Sequence, residues 1–67
     1  MVLSEREKQI LYLISMEMTN EEIAQDLFLS RETIRSHRKN IMVKLKAINT
    51  AGMIRRAYEN GILKISI

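Results

Sequence analysis

The chain has no cysteine and no proline, one histidine (His37), and three aromatic residues (Tyr12, Phe28 and Tyr58) among 67 residues. Without cysteine there is no disulfide framework and no thiolate metal site. A single histidine excludes a multi-histidine metal cluster, and no nucleophile–base pair can be assembled, so an enzyme is the reading least favoured. So few aromatics leave no stacking platform for single-stranded nucleic acid. No apolar run approaches the ~20 residues of a membrane span. Nor does the start show a basic segment, an apolar stretch and a small-residue cleavage site. The expectation is a soluble, cytoplasmic protein with no membrane partner, no cofactor, no metal and no small-molecule ligand. Met16, Met18, Met42 and Met53 fall at helical spacings and read as core filling.

Hydrophobic residues make up 46% of the chain, ample for a compact core. With no repeat, linker or low-complexity tract, residues 1–67 read as one domain, close to the size below which folds need staples. The net charge of +3 conceals a division. Met1 to Leu29 carries two basic residues against six acidic ones, whereas Ser30 to Ile67 carries nine basic against two acidic. A domain polarised in this way presents one face to a polyanion and keeps the other away. Six of the eleven basic residues lie between Ser30 and Lys46, with Glu32 as the only acid among them.

The punctuation predicts an all-α fold: four helices containing a helix-turn-helix. Ser4 caps a first helix, with Glu7 three places on completing a capping box. Leu3, Ile10, Leu11, Ile14 and Met18 form its inward stripe. Thr19 and Glu22 repeat the box for a second helix through Ile23, Ala24 and Leu27, where small Ala24 admits a close crossing. Phe28 and Leu29 make the turn, Leu29 plugging the core, and Ser30 caps the third helix, which fades near Lys46. Ile34, Ile41 and Leu45 face its core side. Asn49 or Thr50 begins a fourth helix carrying Met53, Ile54, Ala57 and Tyr58, and Asn60-Gly61 stops it. The alternating apolar tail from Ile62 has no partner strand, so it is expected to pack loosely over the first helix or fray.

Two short helices joined by a tight turn, the second strongly basic, form a reader of double-stranded DNA whose third helix, about 30–46, enters the major groove. Arg35 and Lys39 lie one turn apart, opposite Ile34 and Ile41, and are long donors suited to guanine O6 and N7. Ser36 stands beside them, and Arg31, at the outer end, can meet a base or a phosphate. Flanking donors suited to phosphate are Thr33, Arg38, Lys44 and Ser30, with Thr19 and Asn20 at the start of the second helix. His37 has no supporting partner for catalysis. It reads as a polar anchor donating to phosphate, with a buried hydrogen bond as the alternative.

These residues resemble the LuxR-type, GerE-like helix-turn-helix domain of bacterial transcriptional regulators. LSEREKQIL resembles the family's opening, TNEEIAQDLFLSRETIRSH its helix-turn-helix, and RKNIMVKL with the later Asn-Thr and Gly-Ile-Leu its close. The match rests on ordered positions from Glu7 through Asn20, Ala24, Thr33 and His37 to Lys44 and Leu45. The resemblance implies that Thr33, His37 and Lys44 hold the DNA backbone. It also implies that a receiver or autoinducer-binding domain normally precedes such a module. The chain is therefore expected to be an excised effector domain of a response regulator or quorum-sensing-type regulator, or a stand-alone small regulator. Three positions depart from the family pattern: Glu17 and Lys46 replace frequent glycines, and Glu21 replaces a common basic residue.

A sigma-factor region shares the opening and the helix-turn-helix, but normally ends with its reading helix; the fourth helix here favours the LuxR type. A protein-interaction module that has lost DNA binding is the rival from another class, and Arg35, Lys39 and Lys44 argue against it. A reader this small touches too few base pairs to find one genomic site, so a homodimer on two-fold DNA is expected, with RNA polymerase as a further partner. The fourth helix is the expected dimer surface: Ala51 and Gly52 allow close approach, and Arg55 and Glu59 are spaced to pair across a two-fold axis.

Overall fold

The computed structural model describes residues 3–65. Among them are four helices and no strand: α1 (Glu5–Ser15), α2 (Asn20–Leu27), α3 (Arg31–Lys44) and α4 (Thr50–Glu59). Each begins where a side-chain oxygen accepts an amide proton that the helix itself leaves unbonded. The Ser4 and Thr19 hydroxyls each take the N–H of a glutamate three residues on, at 3.1 Å, and those glutamates return the bond to the cap N–H at 2.8 Å. Ser30 accepts from the Thr33 N–H at 3.1 Å, and Asn49 from the Gly52 N–H at 2.8 Å. Ser4, Thr19 and Ser30 are the caps the spacing predicts, and of the two residues offered for the fourth start, Asn49 is the cap.

The four helices also end alike. In each, an amide just past the last turn reaches a carbonyl five residues back, as Leu29 does to Ala24 at 2.8 Å and Ile62 to Ala57 at 2.8 Å. This closure places one residue in the left-handed region. That residue is Gly61 (φ 73°) after α4, but Glu17 (φ 65°), Phe28 (φ 58°) and Lys46 (φ 56°) after the other three. Glu17 and Lys46 are the two positions where this chain departs from a frequent family glycine.

Helix α3 is central, packing on α1, α2 and α4. Its Ile34, Ile41 and Leu45 meet Ile10, Leu11 and Ile14 of α1, Ile23 and Ala24 of α2, and Met53 and Ala57 of α4 in one core. Leu29, Met18, Met42 and Ile54 are half-buried against it.

Two expectations need correction, those for Met16 and for the tail. Met16 is not core filling: it is 58% exposed, because it follows the last residue of α1 and falls off that helix's inward stripe. Phe28 does shape the turn, but its left-handed backbone throws the ring outward, 93% exposed. The tail neither frays nor lies loosely as far as Leu63. The closure after α4 turns Ile62 and Leu63 inward, and Leu63 joins the core. Ile65 is exposed, and the part of the tail reading that concerns residues 66 and 67 lies outside the described residues.

Candidate nucleic-acid interface

The face of α3 turned away from the core is solvent-exposed along its length. Arg31, Arg35, Ser36 and Lys39 are all exposed, with Asn40 and Val43 continuing toward the helix's end. Of the exposed acids, Glu5, Glu17, Glu21, Glu22 and Asp26 belong to α1, α2 and the turn between them, while Glu32 lies on α3 and Glu59 on α4. The outward front of α3 has the length and donor set for a major groove.

Arg35 does not project freely. Its Nη1 donates to Glu32 Oε1 at 2.7 Å, one turn earlier on the same exposed face. Ser36 and Lys39 take part in no side-chain bond found among the described residues.

The flanking donors are more committed than their chemistry alone suggested. Thr33 shares a hydroxyl–hydroxyl bond of 2.9 Å with Ser30, so these two form one capped corner at the start of α3. Thr19 accepts from Glu22, and its hydroxyl proton remains to be donated. Asn20 opens α2 with its Oδ1 buried and without a partner among the described residues. His37 is half-buried, beside the core-facing row of α3.

Lys44 and Arg38, expected to meet phosphate, are half-buried and each donates to a partner on another helix. Lys44 Nζ donates to Glu7 Oε1 at 2.7 Å, tying the end of α3 to the start of α1. Burial pushes the Glu7 carboxyl upward. The hydrogen bond from Lys44, the Ser4 N–H and the Lys44 charge outweigh that effect and hold it below the usual carboxylate range. Capping was the whole role assigned to Glu7; the structure adds this ion pair, at a residue only 4% exposed. Arg38 Nη2 donates to Thr50 Oγ1 at 2.9 Å, fixing the first residue of α4 against α3. Burial lowers its pKa, but a guanidinium stays charged. Both pairs were missed because no short-range spacing announces them. Their partners are 37 and 12 residues apart and meet only because the helices cross.

On α4, Ala51, Arg55 and Glu59 are exposed, whereas Gly52 is half-buried. Arg55 Nε and Glu59 Oε2 bond each other within the helix at 3.1 Å, so the pair expected to form across two subunits is already satisfied within one. A hollow of about 270 Å³ lies beside them, lined by Lys46, Ala47 and Ile48 as well as Gly52, Arg55, Arg56 and Glu59. Ile48, overlooked in the sequence, is 92% exposed at its rim.

Comparison with known proteins agrees with this geometry. Residues 1–57 match the family model described as bacterial regulatory proteins, luxR family. The chain is 44% identical over 61 residues to the transcriptional regulatory protein MctR of Rhizobium johnstonii, covering 91% of this chain and 28% of that one. It is also 44% identical over 63 residues to the response regulatory protein YgeK of Escherichia coli, covering 94% and 43%. Among solved structures, the response regulator ChrA of a heme-sensing two-component system superposes with a TM-score of 0.89 at 30% identity, covering 94% of this chain and 31% of that one. The chain thus spans less than half the length of these relatives. It belongs to the luxR family of bacterial regulatory proteins and is a helix-turn-helix DNA-binding domain of a transcriptional regulator, a family of regulators rather than of enzymes. No helix among the described residues is long and apolar enough to cross a membrane.

Proposed function

We propose that residues 1–67 act as one reading head that binds double-stranded DNA in a sequence-dependent way, with α3 in the major groove. The observation that carries this reading is the exposed front of α3, where Arg31, Arg35, Ser36 and Lys39 project from a helix anchored by its opposite side in the core. Arg35 and Lys39 are the base-reading donors, and Ser36 and Arg31 reach neighbouring edges. The capped corners at Thr19, Asn20, Ser30 and Thr33 take the phosphates, together with His37 and the remaining donors of Arg38 and Lys44. The site of action is the cytoplasm, where bacterial DNA lies. The domain serves as the effector end of a response regulator or quorum-sensing-type regulator, or works alone as a small regulator.

On a two-fold site, two copies meet through α4, with Ala51 and Gly52 at the closest approach, Arg55 and Glu59 at the edge, and Ile48 giving the surface an apolar contact. RNA polymerase is the further partner of a regulator seated beside a promoter. A mobility shift with random duplex at low salt, followed by selection from a randomised duplex pool, tests the reading. The expected result is binding to both, with the selected sequences preferred. Absence of any shift would instead mark the domain as a protein-interaction module.

A further inference from the structure

Glu32 is the only acid of α3, and it stands on the face that the proposed function turns toward DNA. An anion there is repelled by every phosphate it approaches. Its bond to Arg35 adds little to the fold, because both side chains are largely in solvent, at 80% and 62% exposure. What the bond does is engage one edge of the guanidinium. Glu32 Oε1 occupies Nη1 of Arg35. The opposite edge, Nε with Nη2, stays free, and that edge is suited to bond O6 and N7 of one guanine in parallel.

We propose that Glu32 is a specificity-determining residue: it orients Arg35 on guanine and accepts, through its second carboxylate oxygen, from the exocyclic amine of the cytosine paired with or next to that guanine. The inference rests on the DNA-binding reading above. In the major groove a G·C pair displays two acceptors, N7 and O6, followed by the cytosine N4 donor. Arg35 supplies donors to the first two, and Glu32, already within bonding distance of Arg35, supplies the acceptor for the third. Where the cytosine amine is absent, the carboxylate is brought near phosphates with nothing to bond, so the wrong sequence is penalised as well as the right one favoured.

The test compares the parent with Glu32→Ala and Glu32→Gln, each measured for melting temperature, for affinity to random duplex and for base preference in a randomised pool. Because Glu32 is exposed, the variants should fold. The alanine variant should bind random duplex more tightly than the parent, while its ratio of selected to random affinity falls at least about fivefold, the lower range for one mismatched base pair. The preference for a G·C pair should fall at the position Glu32 reads: it is blunted but kept, through Arg35, where the cytosine pairs with that guanine, and lost where the cytosine belongs to the neighbouring pair. Glu32→Gln removes the charge but keeps an oxygen acceptor, so it should also gain affinity for random duplex while keeping part of the cytosine preference. If both variants tighten on selected and random duplex equally, with the base preference unchanged, Glu32 contributes bulk charge alone and the inference is overturned. A lower melting temperature with no change in preference overturns it too, leaving Glu32 as a helix-start acid. If the parent itself binds no duplex, the DNA-binding reading fails first and the inference falls with it.

Discussion

Replacing Lys44 by alanine strands the Glu7 carboxylate. That group sits at 6% side-chain exposure and keeps only the Ser4 backbone and hydroxyl as polar neighbours once the ammonium is gone. Removing one partner of a buried pair costs ~3–5 kcal/mol. Lys44 is itself 30% exposed, so water can fill part of its place, and the cost should fall to about 1.5–3 kcal/mol. For a domain whose total stability is of order 3–10 kcal/mol, that is a large share. At roughly 4–8 °C per kcal/mol, the melting temperature should drop by about 6–24 °C in far-UV circular dichroism. Glu7→Gln should cost less, because Lys44 can swing into solvent while the amide oxygen still accepts from Ser4. The double variant Glu7→Gln, Lys44→Ala should recover part of the loss. A Lys44→Ala protein melting within about 2 °C of the parent, together with a coupling energy below ~0.3 kcal/mol in the double-mutant cycle, would refute the reasoning. DNA binding by Lys44→Ala must then be compared below its own melting point. There it should lose affinity for all sequences about equally, with a salt slope lower by roughly one.

Acid should destabilise the domain through the same carboxylate. The folded pKa of Glu7 is depressed, as is that of Glu22 by the Thr19 N–H and hydroxyl, so their contribution is complete above the unfolded carboxylate value and is lost as pH falls through the folded one. A melting curve flat near neutrality and falling below about pH 4.5 is expected, and Glu7→Gln should flatten that fall. Thr50→Val, which takes the acceptor from Arg38, should cost about 1 kcal/mol and leave α4 less protected in hydrogen exchange. Glycine at Glu17, Phe28 or Lys46 should each raise stability by about 0.5–1 kcal/mol in urea unfolding, since each side chain sits exposed at positive φ. Ala51→Arg should abolish cooperative binding to a two-fold site while leaving half-site affinity intact. It tests the α4 surface more cleanly than a change at Gly52, where an added Cβ would lie 3.3 Å from Asn49 Oδ1 and disturb the cap.

The parts of this fold that are legible in the sequence are those set by short spacings. Ser4 with Glu7 and Thr19 with Glu22 announce helix starts because both partners of the box lie within one turn. Ile34, Ile41 and Leu45 announce a buried row because a helix repeats its faces. The family resemblance, drawn from the same ordered positions, is matched by the family model over residues 1–57. Less legible is whatever depends on where helices cross or where a closing turn sends its residues. Met16 looks like a core residue by type, but it sits past the last turn of α1, where the backbone leaves the stripe. Ile62 and Leu63 look like a stray strand until the closure after α4 folds them inward. The bonds made by Lys44 and Arg38 are not legible because their acceptors, Glu7 and Thr50, belong to other helices. The Glu32–Arg35 bond is within reach of sequence reasoning, its partners being three residues apart on one helix.

Methylation protection at guanine N7 on a selected duplex tests the placement of α3 most directly, because N7 is open only in the major groove. The account predicts protection of a guanine in each half-site by the parent protein, lost specifically with Arg35→Ala while Lys39→Ala leaves that guanine covered. Arg35→Ala should also weaken selected duplex by ~1–3 kcal/mol more than random duplex. Binding that leaves every guanine N7 open, or an Arg35→Ala loss equal on selected and random duplex, would contradict it.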